Sequence, residues 1–346
     1  MVADKTNVLL VGSGGIGTIA ALNLQRGNQA SVTCVLRSNF AEVKENGFKI
    51  ESIDWGSIES FRPDQILNSI PDVSSGSQKP FRYIVCTTKN IADVSPTLAE
   101  LIKPAVTPGY TVIVLVQNGL NIERPIIEAY PENIVLSGVS LCGSHETAYG
   151  HIIHEDSDEL YIGPFRNPSL DPTTEDDAAK NFIQIYSASG KTQCEYAPNV
   201  GWTRWRKLLY NACLNPVCAI TDLDTGRARL APGTIEDLVR PAMEEIRAGA
   251  KAVGHDLPAE LVDFFINLDP IPMYNPPSMQ VDVRKGRFTE FENILGEPLK
   301  EGAAHGVPMP TLKFLYSVCR SLQWRTKEKN GLVTVPPAED FTKPTK

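Results

Sequence analysis

Residues 7–17 read Asn7-Val8-Leu9-Leu10-Val11-Gly12-Ser13-Gly14-Gly15-Ile16-Gly17, an unbroken apolar run followed at once by a glycine-rich turn. A short continuous apolar run is what a strand buried on both faces of a parallel sheet requires. Beyond Gly17, the apolar residues Ile19, Ala20, Leu22 and Leu24 predict a helix that closes near Gly27. Residues 31–36 predict a second strand that ends at Arg37. Strand, glycine turn, helix and strand give the G-x-G-x-x-G string the context of a dinucleotide-binding Rossmann fingerprint. In that reading Gly12 permits the tight turn, Gly14 lets backbone approach a pyrophosphate, and Gly17 allows close helix-to-strand packing. The pyrophosphate would rest against the backbone from Gly12 through Ser13, Gly14, Gly15 and Ile16 to Gly17, at the positive end of the helix dipole. The competing readings are an ordinary glycine turn and the turn of a methyltransferase; agreement of motif with context argues against both.

An NAD-selective site usually places Asp or Glu at the end of the second strand, to accept from the ribose 2′-hydroxyl. Here Arg37 and Ser38 stand there instead. A guanidinium can meet a 2′-phosphate through charge-assisted contacts, so the expected cofactor is NADP(H). The alternative for Arg37 is a solvated surface arginine.

Further apolar runs at 83–86, 111–116 and 134–139 alternate with helical stretches at 94–102 and 122–129, the pattern of a parallel α/β sheet. Residues 50–80 break into Ser, Pro and Asp and predict a strand pair with irregular loops. Short strands are expected within 151–163 and 191–196, with a helix around 175–189 between them. From Val200 onward helical patterns take over, at 201–220, 234–253, 258–266, 278–287, 291–305 and 311–327. The expected organisation is an α/β Rossmann domain over 1–198, an all-α domain over 199–332 and a flexible tail over 333–346. A chain of 346 residues suits two domains, since single cores rarely grow past about 250 to 300 residues.

The formal net charge of -8 disfavours phosphate backbones and anionic lipid as partners, which leaves a small molecule rather than nucleic acid or membrane. No apolar run is long enough to predict a membrane-spanning helix. Seven cysteines lie scattered without a C-x-x-C pair and read as buried thiols of a reducing compartment. With strand and turn beginning at Asn7, no signal peptide is expected, and the cytoplasm is the default location. His151 and His154 form an H-x-x-H without further suitably spaced ligands and read as surface histidines; no metal is expected.

The helical half opens with Trp202-Thr203-Arg204-Trp205-Arg206-Lys207-Leu208-Leu209-Tyr210-Asn211, followed by Leu214-Asn215-Pro216. Lys207, Asn211 and Asn215 recur every fourth residue, so one helix would align them on one face, with Pro216 ending or kinking it near Asn215. A solvent-facing polar stripe is the alternative.

At these residues the chain resembles the ketopantoate reductase family, which reduces 2-dehydropantoate to pantoate with NADPH. The resemblance rests on an ordered set: the glycine turn, Arg37, Thr87-Thr88-Lys89, Gln117-Asn118-Gly119, Trp205-Arg206-Lys207-Leu208 with Asn211 and Asn215-Pro216, then Asn275, Ser278-Met279 with Asp282, and Thr289-Glu290 with Asn293 and Gly296. It implies a second domain of the 6-phosphogluconate dehydrogenase C-terminal type, with substrate bound in the interdomain cleft. It also implies Lys207 as the catalytic lysine and Glu290 as the carboxylate anchoring the substrate hydroxyl. Asn118 and Ser278 would orient cofactor and substrate, Lys89 would lie near both, and Asn211, Asn215 and Asn275 would line the cleft. Many family members carry His where this chain has Gln117, and residues 270–277 (PIPMYNPP) are bulky through Met273 and Tyr274; both features leave the ketone open. The expected activity is 2-dehydropantoate 2-reductase of pantothenate biosynthesis. A family paralogue reducing another 2-oxo acid or ketone is the alternative enzyme, and a non-catalytic NADP(H) sensor the alternative of another class. A homodimer is compatible with the sequence, which does not decide it.

Overall fold

The computed structural model describes residues 5–76 and 78–337, so residues 338–346 of the expected tail lie outside the described residues. The chain divides into two compact units between Lys207 and Leu208.

The first unit is built on an eight-stranded sheet. Its elements begin with β1 (Thr6–Val11), α1 (Gly15–Arg26), β2 (Ala30–Val35), α2 (Phe40–Asn46), β3 (Phe48–Ser52), β4 (Gly56–Phe61), β5 (Gln65–Leu67) and β6 (Tyr83–Cys86). They continue with α3 (Leu98–Ile102), β7 (Val112–Leu115), α4 (Arg124–Ala129), β8 (Val135–Ser140), β9 (Gly143–Ala148), β10 (His151–Asp156), β11 (Glu159–Pro164), α5 (Pro172–Ser187) and β12 (Gln193–Tyr196). The main sheet has the order β12-β11-β8-β7-β6-β1-β2-β5 and is parallel apart from the β8–β11 pair.

Alternation along the central strands feeds two hydrophobic layers, as the two-residue period of a strand requires. Val8, Leu10, Val85 and Val114 face α1 and α5, where Leu22, Phe182 and Tyr186 are buried. Leu9, Val11, Ile84 and Ile113 face the other side with Ile102 and Ile126 of α3 and α4. Both faces are therefore covered, which is why these strands read as uninterrupted apolar runs.

A second, four-stranded sheet, β4-β3-β10-β9, packs on α1. The expected strand pair within 50–80 forms its β3–β4 hairpin. His154 corrects the surface reading: it is 2% exposed on β10, and its Nδ1 lies 2.8 Å from Ser52 Oγ of β3. Ser52 Oγ already accepts from the Asp54 and Trp55 amides, so the imidazole is a pin for the hairpin turn. His151 is half-buried and lies 3.0 Å from Glu51.

α6 (Val200–Asn211) spans the boundary between the units. The second unit is helical: α7 (Leu214–Thr221), α8 (Thr225–Leu230), α9 (Arg240–Ala252), α10 (Glu260–Ile266), α11 (Ser278–Arg284), α12 (Glu297–Ala304) and α13 (Pro310–Lys329). α7 is buried over Leu214, Val217 and Cys218 and packs against α11 and α13. One helix was expected over 201–220; instead α6 ends at Asn211 and α7 begins at Leu214. Pro216 sits in the first turn of α7, where its missing N–H is no loss because first-turn amides lack intrahelical partners. π-helical turns at Thr234–Val239 and Glu292–Gly296 lead directly into α9 and α12. No helix among the described residues is long and apolar enough to cross a membrane.

Candidate active site

The strand order turns between β1 and β6, the switch point at whose carboxyl edge open α/β sheets bind ligands. The glycine turn occupies that edge. Gly12 has φ +100°, and a Cβ there would come within 2.7 Å of the Thr88 backbone nitrogen. A Cβ on Gly17 would lie 1.8 Å from the Gly12 carbonyl oxygen, so the start of α1 can sit down on the turn only with glycine at that position. Thr87 reinforces the contact by donating its hydroxyl to the same carbonyl.

Gly14 differs from its neighbours: a Cβ there would meet no atom within 4 Å. The turn is thus closed behind Gly12 and Gly17 and open in front of Gly14, at a helix N-terminus whose first amides lack intrahelical acceptors. These residues fit the pyrophosphate of a dinucleotide. Gly15 has a separate requirement, because its Cβ would lie 2.3 Å from the Ser144 carbonyl of β9. Ser13 is buried, and its carbonyl accepts from Asn39 Nδ2 at 2.9 Å. The same Asn39 amide donates to Glu146 Oε1 of β9 at 2.8 Å, tying the glycine turn to the second sheet. Behind it, burial pushes the Cys34 thiol up to about 12, so this cysteine is an inert core residue. Ile16 packs on the core.

Arg37 stands just past β2 and is exposed; its guanidinium has no side-chain partner among the described residues. Lys89, after β6, is also exposed.

Lys207 lies on α6, and its Nζ donates to Asn118 Oδ1 at 2.9 Å and to the Ser140 carbonyl at 2.5 Å. Asn118 follows β7 and Ser140 ends β8, so the ammonium is held at the carboxyl edge of the main sheet. Gln117, 4% exposed, turns away from Asn118: its Nε2 donates to the Thr88 carbonyl at 2.8 Å and the Thr88 hydroxyl at 2.9 Å. The loop after β7 is thereby joined to the loop that buttresses Gly12.

Two residues that sequence reading passed over complete this corner. Arg204, 5% exposed on α6, makes an ion pair of 2.7 Å with the fully buried Glu123. Ser137 Oγ donates to Glu123 at 2.6 Å and accepts from Arg204 Nε at 2.6 Å. Burial opposes the charge on Arg204 and lowers its proton affinity, while Glu123 supports it.

In the second unit, Glu290 is 4% exposed, immediately ahead of the π-turn that leads into α12. Such burial is uncommon for a carboxylate. Asn211 and Asn215 are both buried, and despite the break between α6 and α7 their side chains meet at 3.5 Å. They do not form a solvent-facing stripe. Asn275 donates to Asp269 at 3.3 Å, and Asp269 also accepts from Tyr210 at 2.6 Å. Ser278 opens α11 and is exposed. Tyr274 holds φ +46°, with the Arg227 guanidinium 4.4 Å from its ring centroid.

A parallel sheet with a glycine turn at its switch point, joined to an all-helical unit, defines the class of two-unit Rossmann proteins. Within that class, the profile described as Ketopantoate reductase PanE/ApbA matches residues 8–167, and Ketopantoate reductase PanE/ApbA C terminal matches residues 199–323. The chain belongs to the ketopantoate reductase family, whose members are oxidoreductases acting on CH–OH groups with a nicotinamide dinucleotide. An uncharacterized protein of Saccharomyces cerevisiae is 36% identical, over 95% of this chain and 96% of its own length. The crystal structure of 2-dehydropantoate 2-reductase from Methylococcus capsulatus is 30% identical with a TM-score of 0.74, covering 92% of this chain and 97% of that one. D-mandelate dehydrogenase, solved with NADH and anilino(oxo)acetate, shares the fold at a TM-score of 0.75 and 19% identity, over 93% of this chain and 100% of that one.

The contrast between Gly14 and Gly17 is directly testable. Gly17→Ala is expected to cost about 3 kcal/mol or more in urea unfolding, because backbone rather than a side chain blocks the methyl group. Gly14→Ala is expected to cost about 1 kcal/mol, the effect of replacing a glycine cap by alanine, but to lose dinucleotide affinity in a fluorescence titration. Parental affinity in Gly14→Ala would remove the pyrophosphate from that slot.

Proposed function

We propose that this protein is an NADPH-dependent reductase of a 2-oxo acid, with conversion of 2-dehydropantoate to pantoate as the first candidate reaction. The observation that carries the reading is the Lys207 ammonium fixed by Asn118 and Ser140 at the carboxyl edge of the sheet that bears the glycine turn.

When bound, the reduced dinucleotide supplies a hydride. Gly12 to Gly17 would hold its pyrophosphate and Arg37 its 2′-phosphate, with Lys89 and Asn118 as further contacts. Hydride arriving at a ketone carbon leaves an alkoxide that needs both a counter-charge and a proton, and one ammonium, that of Lys207, supplies both. Asn118 directs that ammonium by accepting a hydrogen bond from it. Glu290 serves as a hydrogen-bond acceptor for a substrate hydroxyl, fixing the angle at which the carbonyl is presented. Asn211, Asn215, Asn275 and Ser278 are the proposed polar lining. The lysine arrangement supports turnover over a sensing role. The cytoplasm and a homodimer remain the proposed setting and assembly.

A second reading, reduction of a different 2-oxo acid, is favoured by the exposed Met273 and Tyr274 of segment 270–277. Side chains of this bulk are able to reshape a small pocket.

Arg37→Ala should weaken NADPH by roughly 1.5 to 3 kcal/mol, the range for charge-assisted hydrogen bonds, and leave NADH nearly unchanged. Equal losses for the two cofactors would take Arg37 away from the 2′-phosphate.

The substrate is tested by kcat/KM over a panel of 2-oxo acids. A site built to accept from a hydroxyl leaves its own polar group unpaired when that hydroxyl is missing, so 2-oxoisovalerate should react far more slowly than 2-dehydropantoate. Glu290→Ala should erode this preference together with the rate. Comparable values for both acids in the parent, or efficient reduction of another ketone alone, would select the second reading.

A further inference from the structure

We propose that the buried Arg204–Glu123 pair is the positioning device for Lys207, locking the first half of α6 to the carboxyl ends of β7 and β8. The inference rests on the reading of Lys207 as the proton donor.

Arg204 precedes Lys207 by one helical turn, so both side chains leave α6 on the same face. Its Nη1 donates to the Gln117 carbonyl at 3.1 Å and the Gly119 carbonyl at 2.8 Å. Asn118, which accepts from Lys207, is therefore gripped on both sides. Nη2 donates to the Leu115 carbonyl at 3.4 Å and the Gly138 carbonyl at 3.2 Å, and Nε serves Ser137 and Glu123. Gly138 lies on β8 shortly before Ser140, the second acceptor of Lys207. All five guanidinium donors are thus directed at acceptors beside the two groups that hold the ammonium.

Stability alone does not account for such a pair. Replacing a buried ion pair by well-packed apolar side chains is often neutral or stabilising, because two charges must be desolvated. What a guanidinium adds is direction: a planar fork that can hold several carbonyls at once, which neither an apolar side chain nor the compact ammonium of lysine can do. Glu123 supplies the countercharge, and Ser137 links the two.

The test is a double-mutant cycle with NADPH and 2-dehydropantoate, or the best 2-oxo acid of the panel should another exceed it. Arg204→Lys keeps the charge beside Glu123 but not the fork. It is expected to lower kcat about 10- to 100-fold, the effect of displacing a reacting group by about 1 Å, with NADPH affinity retained. Combined with Lys207→Ala, it should slow the enzyme no further than Lys207→Ala alone, since a residue acting through Lys207 has nothing left to position. Ser137→Ala removes only the linking hydroxyl; it should give a smaller kcat loss with the same non-additivity, and it carries the test if Arg204→Lys does not fold. Losses that multiply in the double variants would overturn the positioning role while leaving Lys207 as donor. A parental rate in Lys207→Ala, or no turnover of any 2-oxo acid by the parent, would overturn the underlying reading and this proposal with it.

Discussion

A guanidinium buried among backbone carbonyls is the constraint from which the chemical corner of the first unit follows. Arg204 reaches the carbonyls of Leu115, Gln117, Gly119 and Gly138, which belong to two adjacent strands and the loop between β7 and α4. Leu115 and Gly138 are still paired within the sheet, whereas Gln117 and Gly119 lie past the end of β7, where no strand partner is left and a buried carbonyl needs another donor. Glu123 makes the arrangement electrically tolerable, because an unpaired buried cation would be strongly destabilising. The helix that brings Arg204 also brings Lys207, so satisfying the sheet and delivering an ammonium are one geometric event.

A second constraint acts at the other side of the switch point. Thr87 and Thr88 press on Gly12, and Gln117 holds Thr88 through both its carbonyl and its hydroxyl. A continuous set of contacts therefore runs from the glycine turn through Thr88 and Gln117 to the segment that Arg204 clamps. Gln117 suits this role physically: its amide donates two hydrogen bonds at fixed geometry and carries no charge that varies with pH.

Much of the fold was legible because its signals are local. The apolar run ending at Val11, the spacing of Gly12, Gly14 and Gly17, and the shift to helical patterns after Val200 each depend on residues close in sequence. The second sheet was harder to read because β9 (GSHETA) is polar and largely exposed, without the alternation that marks a half-buried strand. That omission hid the reason for Gly15, whose neighbour Ser144 lies on that strand. The break between α6 and α7 falls at Ala212 and Cys213, three residues ahead of the end that Pro216 led the sequence reading to place near Asn215, because a proline ring conflicts with the helical carbonyl four residues before it, that of Ala212. Arg204, Glu123 and His154 were read as solvated or left unread because charged and polar side chains are exposed by default. Their partners are distant in sequence, and only the fold brings them together. Lys207 and Asn118 became visible as candidates through the family resemblance; helical spacing could order Lys207 with Asn211 and Asn215 but not with Asn118.

The account turns on Lys207 being the group that meets charge developing on a ketone oxygen. The most direct measurement is the single-turnover rate of NADPH oxidation by Lys207→Ala at saturating 2-oxo acid, beside its NADPH affinity. The account predicts a rate lower by about 10² to 10⁴, the usual contribution of a positioned general acid, with affinity for the dinucleotide retained. A variant that oxidises NADPH as fast as the parent would contradict it.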